Sequence, residues 1–151
     1  MGFKVRLDID PDNEDEIIIK CKEANDEVLR IYSLLTERKN SEIELLLNGE
    51  THFVKLSELL FFETDGIKTA AHTKNRMYYT DLKLYELEEQ LPSSFMRISK
   101  SAIINTKAVS SMRREITGIC EAFFPDTPKK VYISRSYYHS FKNKIYETRL
   151  K

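Results

Sequence analysis

The sequence predicts an α+β fold: a mostly antiparallel β module with one internal and one C-terminal helix, preceded by a small αβ leader. Three observations carry this. From about residue 43 the chain is a run of short apolar segments broken by turn residues at Asn48-Gly49, Asp65-Gly66, Lys74-Asn75 and Pro125 to Pro128. Two stretches change to helical spacing, one inside this region and one at its end. Only four glycines occur, and none forms a Gly-rich strand-to-helix turn, which excludes a parallel nucleotide-binding sheet.

The leader comes first, residues 1–42. FKVRLDI places Phe3, Val5, Leu7 and Ile9 on one side at period two, and EIIIK follows after the acidic turn DPDNED, so a hairpin is expected. ANDEVLRIYSLLTERK then carries Val28, Ile31, Tyr32 and Leu35 at helical spacing, with Asn25 or Asp26 as cap and acids in the first turn, where the helix dipole favours them. The apolar stripe of that helix either packs within the chain or forms a homodimer contact.

The module, residues 43–151, opens with IELLLNGETHFVKL. Asn48-Gly49 supplies the two positive-φ residues of a type I′ hairpin turn. Short strands follow through ELLFFETDGIKTAAHTKNRMYYT. TDLKLYELEEQLP reads as a helix capped near Thr80 or Asp81, with Leu84, Leu87 and Leu91 on one face and its end set by Pro92. FMRI, KAVSSMRR, EITGICEAFF and KKVYIS are again strand-like. SRSYYHSFKNKIYETR closes the chain as a helix with Phe141 and Ile145 facing inward.

A chain of 151 residues buries roughly 70% of its unfolded surface, and 41% hydrophobic with 32% charged residues is the balance of a globular protein. No apolar run approaches a membrane span and no signal core opens the chain, so the expected location is the cytoplasm. Cys21 and Cys120 suit reduced, buried thiols better than a disulfide. His52, His72 and His139 lie on separate elements without metal-ligand spacing. There is no G-x-S-x-G and no G-x-x-x-x-G-K, and Glu88-Glu89 and Glu14-Asp15-Glu16 read as solvated surface. No enzyme, metal, cofactor or small-molecule substrate is therefore expected.

The zero net charge hides an asymmetry. Residues 1–49 hold 7 Lys/Arg against 12 Asp/Glu, and the rest 17 against 12; from Arg97 onward 12 basic residues face only four acids. Such a field suits a polyanion. ETDGIK, FMRISKS and YISRSYYHSFK each end a strand with a basic residue beside small or hydroxyl residues, a mixture that contacts phosphates and base edges.

In order and spacing, KLSELLFFETDGIK, the helix followed by LPSSFMRISKSAIIN, and YISRSYYHSFKNKI resemble the LytTR DNA-binding domain of bacterial transcription regulators, over residues 52–146. The resemblance implies strand-connecting loops, not a recognition helix, entering successive major grooves on one side of double-stranded DNA. It points to Lys100 and Arg135 as base readers, with Lys68 a third from the first loop. Ser99, Ser101 and Asn105 resemble backbone-positioning or loop-bracing members of the same motif, and Arg97 completes the implied DNA-binding set. The leader is too short for the phosphorylatable receiver domain of many relatives. The implied function is a sequence-specific regulator, working as a homodimer on promoter repeats. The alternative is a protein interaction module on the same scaffold without base reading.

Overall fold

A computed structural model describes residues 2–36 and 41–149. The chain divides into two units, residues 1–37 and 38–151.

In the first unit, the described residues form one helix, α1 (Asp26–Thr36). Asn25 is its cap: the side-chain Oδ1 accepts from the Val28 amide at 2.9 Å. The last residues of the expected helix, 37–39, lie outside the described residues. The expected hairpin does not form, because residues 3–9 and 16–20 run without a strand ladder. An isolated two-stranded hairpin is marginal in water, and among the described residues of this unit no third strand offers these runs a surface on which to bury their apolar side. Cys21, expected buried, is exposed on this unpaired stretch; Cys120 is buried as expected.

The second unit is built on a seven-stranded antiparallel sheet. Its strands are β1 (Glu42–Leu47), β2 (Glu50–Lys55), β3 (Leu59–Thr64), β4 (Thr69–Thr73), β5 (Met77–Thr80), β6 (Phe95–Ser99) and β7 (Ala102–Asn105). They stand in the order β2-β1-β5-β4-β3-β7-β6. A smaller sheet, β10-β9-β8, contains β8 (Ser111–Arg114), β9 (Cys120–Phe123) and β10 (Lys130–Ile133). Asn48 (φ 53°) and Gly49 (φ 80°) make the positive-φ turn that AsnGly predicts, and β1 and β2 pair in register from Leu47↔Glu50 outward.

Helix α2 (Leu84–Gln90) begins two or three residues later than its pattern suggests. Thr80 is still in β5, and its hydroxyl holds the Leu82 amide at 3.2 Å. Lys83 takes the cap position, where its amide donates to Glu86 Oε1. AIIN, which has no assignment in the sequence pattern, is strand β7, next to the edge strand β6 and buried throughout. Of KAVSSMRR only the end is strand, because Thr106–Ala108 form a turn of 3-10 helix.

Two cores result, one on each face of the large sheet. One joins Leu45, Leu59, Phe62, Ile103 and α2 residues Leu84 and Leu87. The other joins Phe61, Ile98, Ile104, Cys120 and Ile133 to helix α3 (Tyr138–Arg149) through Phe141 and Ile145. Alternation along β3 sends Phe61 and Phe62 to opposite sides, and a bulge between Leu59 and Phe61 puts Leu60 in the same core as Phe61, so one strand feeds both cores. Phe141 is fully buried, a burial that stabilises by about 2–3 kcal/mol.

Candidate nucleic-acid interface

The ladder register gathers three connections at one end of the large sheet. Glu63 pairs with Ala102 and Ser99 with Ala102, so the β3–β4 turn and the β6–β7 turn emerge together. The Thr64 amide donates to the Ser101 carbonyl at 2.9 Å. On the other side the Ser134 amide, just past β10, donates to the Ile98 carbonyl at 2.9 Å. Strands stand about 4.8 Å apart, so the tips of the first two turns lie roughly 10 Å from one another.

Each connection is held by its own hydrogen bonds. In the first, Asp65 Oδ1 accepts from the amides of Ile67 and Lys68 at 2.8 and 2.9 Å, and Thr64 Oγ1 donates to the Lys68 carbonyl. Gly66 sits at φ 95°, a conformation that favours glycine. The amides of Lys68 and then Ile67 hold the Asp65 carboxyl below its ordinary range. Lys68 is exposed, its Nζ 5.7 Å from the centre of the Tyr79 ring.

In the second, Ser99 Oγ accepts from the Ser101 amide at 3.2 Å and lies 3.4 Å from the Ser101 hydroxyl. Arg97 reaches along the turn: Nε donates to the Ser99 carbonyl (2.9 Å), one terminal nitrogen to the Lys100 carbonyl (3.0 Å), and the other meets Glu88 Oε2 at 3.2 Å. The guanidinium therefore clamps the backbone that presents Lys100, and Lys100 itself points free of any protein partner among the described residues. Glu88, which reads as solvated helix surface, is the clamp's anchor on α2.

In the third, Arg135 opens a 3-10 turn (Arg135–Tyr137) before α3, and Ser134 and Ser136 hydroxyls stand 3.2 Å apart. The aliphatic stem of Arg135 lies on Gly118, in the β8–β9 turn. A methyl group there would come within 2.9 Å of Arg135 Cδ and 3.1 Å of Cγ, and Gly118 has φ 90°. Gly118 is thus the seat of Arg135, a role that its place in TGIC does not signal.

Asn105 stands apart from the other candidates. It is 4% exposed; its Nδ2 donates to the Leu59 carbonyl at 2.9 Å and its Oδ1 accepts from the Lys107 amide at 3.2 Å. The β3–β7 ladder stops at Phe61↔Ile104, and the Asn105 amide satisfies the Leu59 carbonyl beyond that point. Its position is that of a brace inside the sheet, not of a group on the surface.

Three carboxylates near this end are engaged: Asp65 within its turn, Glu88 by Arg97, and Glu63 by His72, whose Nε2 lies 2.8 Å from Glu63 Oε1. Burial pushes the His72 imidazole below its ordinary value of 6.5, against the opposing pull of Glu63. Several other charges in the unit are structural. Glu121 is nearly buried between Arg113 (2.5 Å) and Lys130 (3.2 Å), and the Arg114 guanidinium lies 4.1 Å from the Tyr138 ring centre. Lys129 holds the carbonyls of Thr73 and Arg76 at the opposite end of the sheet. No helix among the described residues is long and apolar enough to cross a membrane.

Comparison with known proteins agrees with this architecture. A transcriptional regulator of the HTH type from Staphylococcus aureus strain bovine RF122 / ET3-1 is 30% identical over 135 residues, covering 89% of this chain and 91% of the relative. A regulator of the same printed type from strain NCTC 8325 / PS 47 shows the same identity and coverage. The three described helices here are separated by strands, so they form no helix-turn-helix. A LytTr DNA-binding domain of a response regulator from Bacillus cereus superposes with a TM-score of 0.65 at 21% identity, covering 70% of this chain and 97% of that one. Residues 49–146 match the family described as the LytTr DNA-binding domain. With that match over most of its length, the chain belongs to the LytTr DNA-binding domain family.

Proposed function

We propose that this protein is a sequence-specific transcriptional regulator of the cytoplasm, working as a homodimer on repeated promoter half-sites and reading major grooves with its strand-connecting loops. The observation that carries the reading is the junction of three loops. Thr64 to Ser101 and Ser134 to Ile98 hydrogen bonds fix their backbones together, and exposed Lys68, Lys100 and Arg135 project from them. Three carboxylates beside these loops, Asp65, Glu88 and Glu63, are held by protein partners. The regulators it is similar to, named for transcription, support the same role.

In this reading Lys100 and Arg135 address base edges. Arg135 presents a planar fork that fits guanine O6 and N7, and its stem is already fixed over Gly118, so little side-chain freedom remains to be lost on binding. Lys68 supplies a third cation at the edge of the row. Arg97, Ser99 and Ser101 act one step behind, by holding the Lys100 turn in shape.

The test is selection of bound fragments from a random DNA pool, followed by titration of the winner and a scrambled duplex at several salt concentrations. A single enriched motif and a fall of log K with log salt, at a slope of about 0.9 per phosphate neutralised, support the reading. Absence of enrichment together with a flat salt response would assign the scaffold to protein interaction instead.

A further inference from the structure

The segment Phe3 to Asp10 of the first unit is apolar and charged in strict alternation, yet it pairs with nothing among the described residues. Val5 is 95% exposed, and Leu7 and Ile9 are each 83% exposed. Its polar side reads Lys4, Arg6, Asp8, Asp10: two cations followed by two anions, neutral in total inside an acidic leader. In the single chain Arg6 and Asp8 meet each other in solvent at 2.7 Å, each the other's nearest available partner.

This pattern is self-complementary under two-fold symmetry. In an antiparallel pair, residues i and j lie opposite when their sum is constant. A pairing centred on Leu7 sets Lys4 against Asp10, Arg6 against Asp8, Val5 against Ile9 and Leu7 against itself. Each charged contact occurs twice, and both faces keep their character. Every neighbouring register fails. Centring on Arg6 sets Arg6 on Arg6, and centring on Asp8 sets Asp8 on Asp8. A shift by half a step puts each apolar residue opposite a polar one. Two-fold interfaces require this property, a surface patch complementary to itself.

We infer that residues 4–10 form an antiparallel strand pair with the same residues of a second copy, centred on Leu7, and that this pair aligns the homodimer. The occupant is fixed by charge: the sequence of the segment is its own complement. The inference rests on the homodimer reading above and gives it a place. The exposed α1 residues Leu29, Tyr32 and Leu35 belong to the same unit and supply apolar area that a strand pair alone lacks.

The experiment uses the full chain without DNA and measures dimer dissociation by analytical ultracentrifugation. Arg6→Asp and Asp8→Arg each turn two attractive contacts into two repulsive ones, and each should weaken the dimer at least about tenfold. Mixed in equal amounts, the two variants should associate again with near wild-type affinity. One chain then carries acids at both positions 6 and 8, the other carries arginines at both, and every charged contact across the pair is attractive. The ion pair within each chain stays broken in that mixture, so rescue reports on contact between chains only. As a second readout, Leu7→Cys in a Cys21→Ser background should cross-link to itself under mild oxidation, because opposed residues of an antiparallel pair lie within disulfide reach. Lys4→Cys should not, since it faces Asp10. A wild-type chain that is monomeric overturns the homodimer reading as a whole. A dimer indifferent to the charge variants, or one that mixing fails to restore, overturns the strand pair alone.

Discussion

Replacing Asn105 with alanine separates a brace from a base reader. The side chain makes two buried contacts, Nδ2 to the Leu59 carbonyl and the Lys107 amide to Oδ1. Alanine leaves the Leu59 carbonyl without its partner at the edge of the bulge, a penalty of about 1–3 kcal/mol for an unsatisfied buried group. It also removes the cap of the 3-10 turn at Thr106–Ala108, about 1 kcal/mol more. The sum, about 2–4 kcal/mol, is a large part of an ordinary domain stability of about 5–15 kcal/mol but does not exceed it. The folded variant should therefore persist with a melting temperature lowered by roughly 6–12 °C. Thermal melts by circular dichroism measure this. Titration on specific and scrambled duplexes, well below the melting point, should show affinities within about threefold of wild type. An unchanged melting temperature with a large loss on the specific duplex would refute the assignment and bring Asn105 to the DNA surface.

Three further outcomes follow from the same geometry. Arg135→Lys keeps the charge but removes the planar fork, so binding to the preferred duplex should weaken by about 1–3 kcal/mol with little change on the scrambled one; equal loss on both would make Arg135 a phosphate contact. Arg97→Ala should loosen the Lys100 turn and lower specific affinity. Glu88→Ala should lower it too, since it removes the anchor of the same clamp; a rise in affinity after Glu88→Ala would show Arg97 to be a phosphate ligand restrained by that carboxylate. On acidification, stability should fall in two stages. His72 is kept neutral by burial, its folded value lying below 6.5, so its contribution is complete above that pH and declines as pH drops through 6.5 toward the folded value. The Glu121 carboxyl is held below its ordinary 4.5 by Arg113 and then Lys130, so its contribution is present above 4.5 and disappears as pH falls through the lower folded value. Melting temperature against pH for wild type and His72→Gln tests this, the variant being expected to lose only the upper stage.

Periodicity makes most of the second unit legible. The AsnGly hairpin, the Asp65-Gly66 turn and the inward Phe141 and Ile145 follow from local rules, since each depends on residues a few positions apart. What is not legible depends on partners distant in the chain. AIIN is a run of four with no alternation, because β7 has cores on both sides, and a strand buried on two faces carries no period-two signal. The leader shows the converse. FKVRLDI has the cleanest alternation in the chain and forms no ladder within the unit, because alternation specifies a strand's two faces and says nothing of which strand comes beside it.

The candidate site divides in the same way. Lys68, Lys100 and Arg135 are marked in the sequence by strand ends rich in hydroxyl residues, and the structure leaves all three exposed at one end of the sheet. The groups that hold them carry no such mark. Arg97 reads as a member of the contact set but closes on Ser99 and Lys100 carbonyls, and Glu88 reads as solvated but anchors it from α2, nine residues earlier. Gly118 lies 17 residues before the Arg135 stem that rests on it. A cation that reads bases needs exposure, which composition near a turn reveals. A residue that fixes such a cation in place needs contact across elements, and that arises only when β6, α2 and the β8–β9 turn are brought together. In the proposed reading, sequence preference rests also on residues that need never touch DNA, so substitutions at Glu88 or Gly118 should alter it as strongly as some at the proposed contact positions. Gly118→Ala is the sharpest case: it places a methyl against Arg135 and strains a φ of 90°, and it should relax preference at the base Arg135 reads while leaving the Lys100 position unchanged. Selection from a random DNA pool with this variant measures both positions at once, and an unaltered motif would show that Arg135 reads its base without the seat.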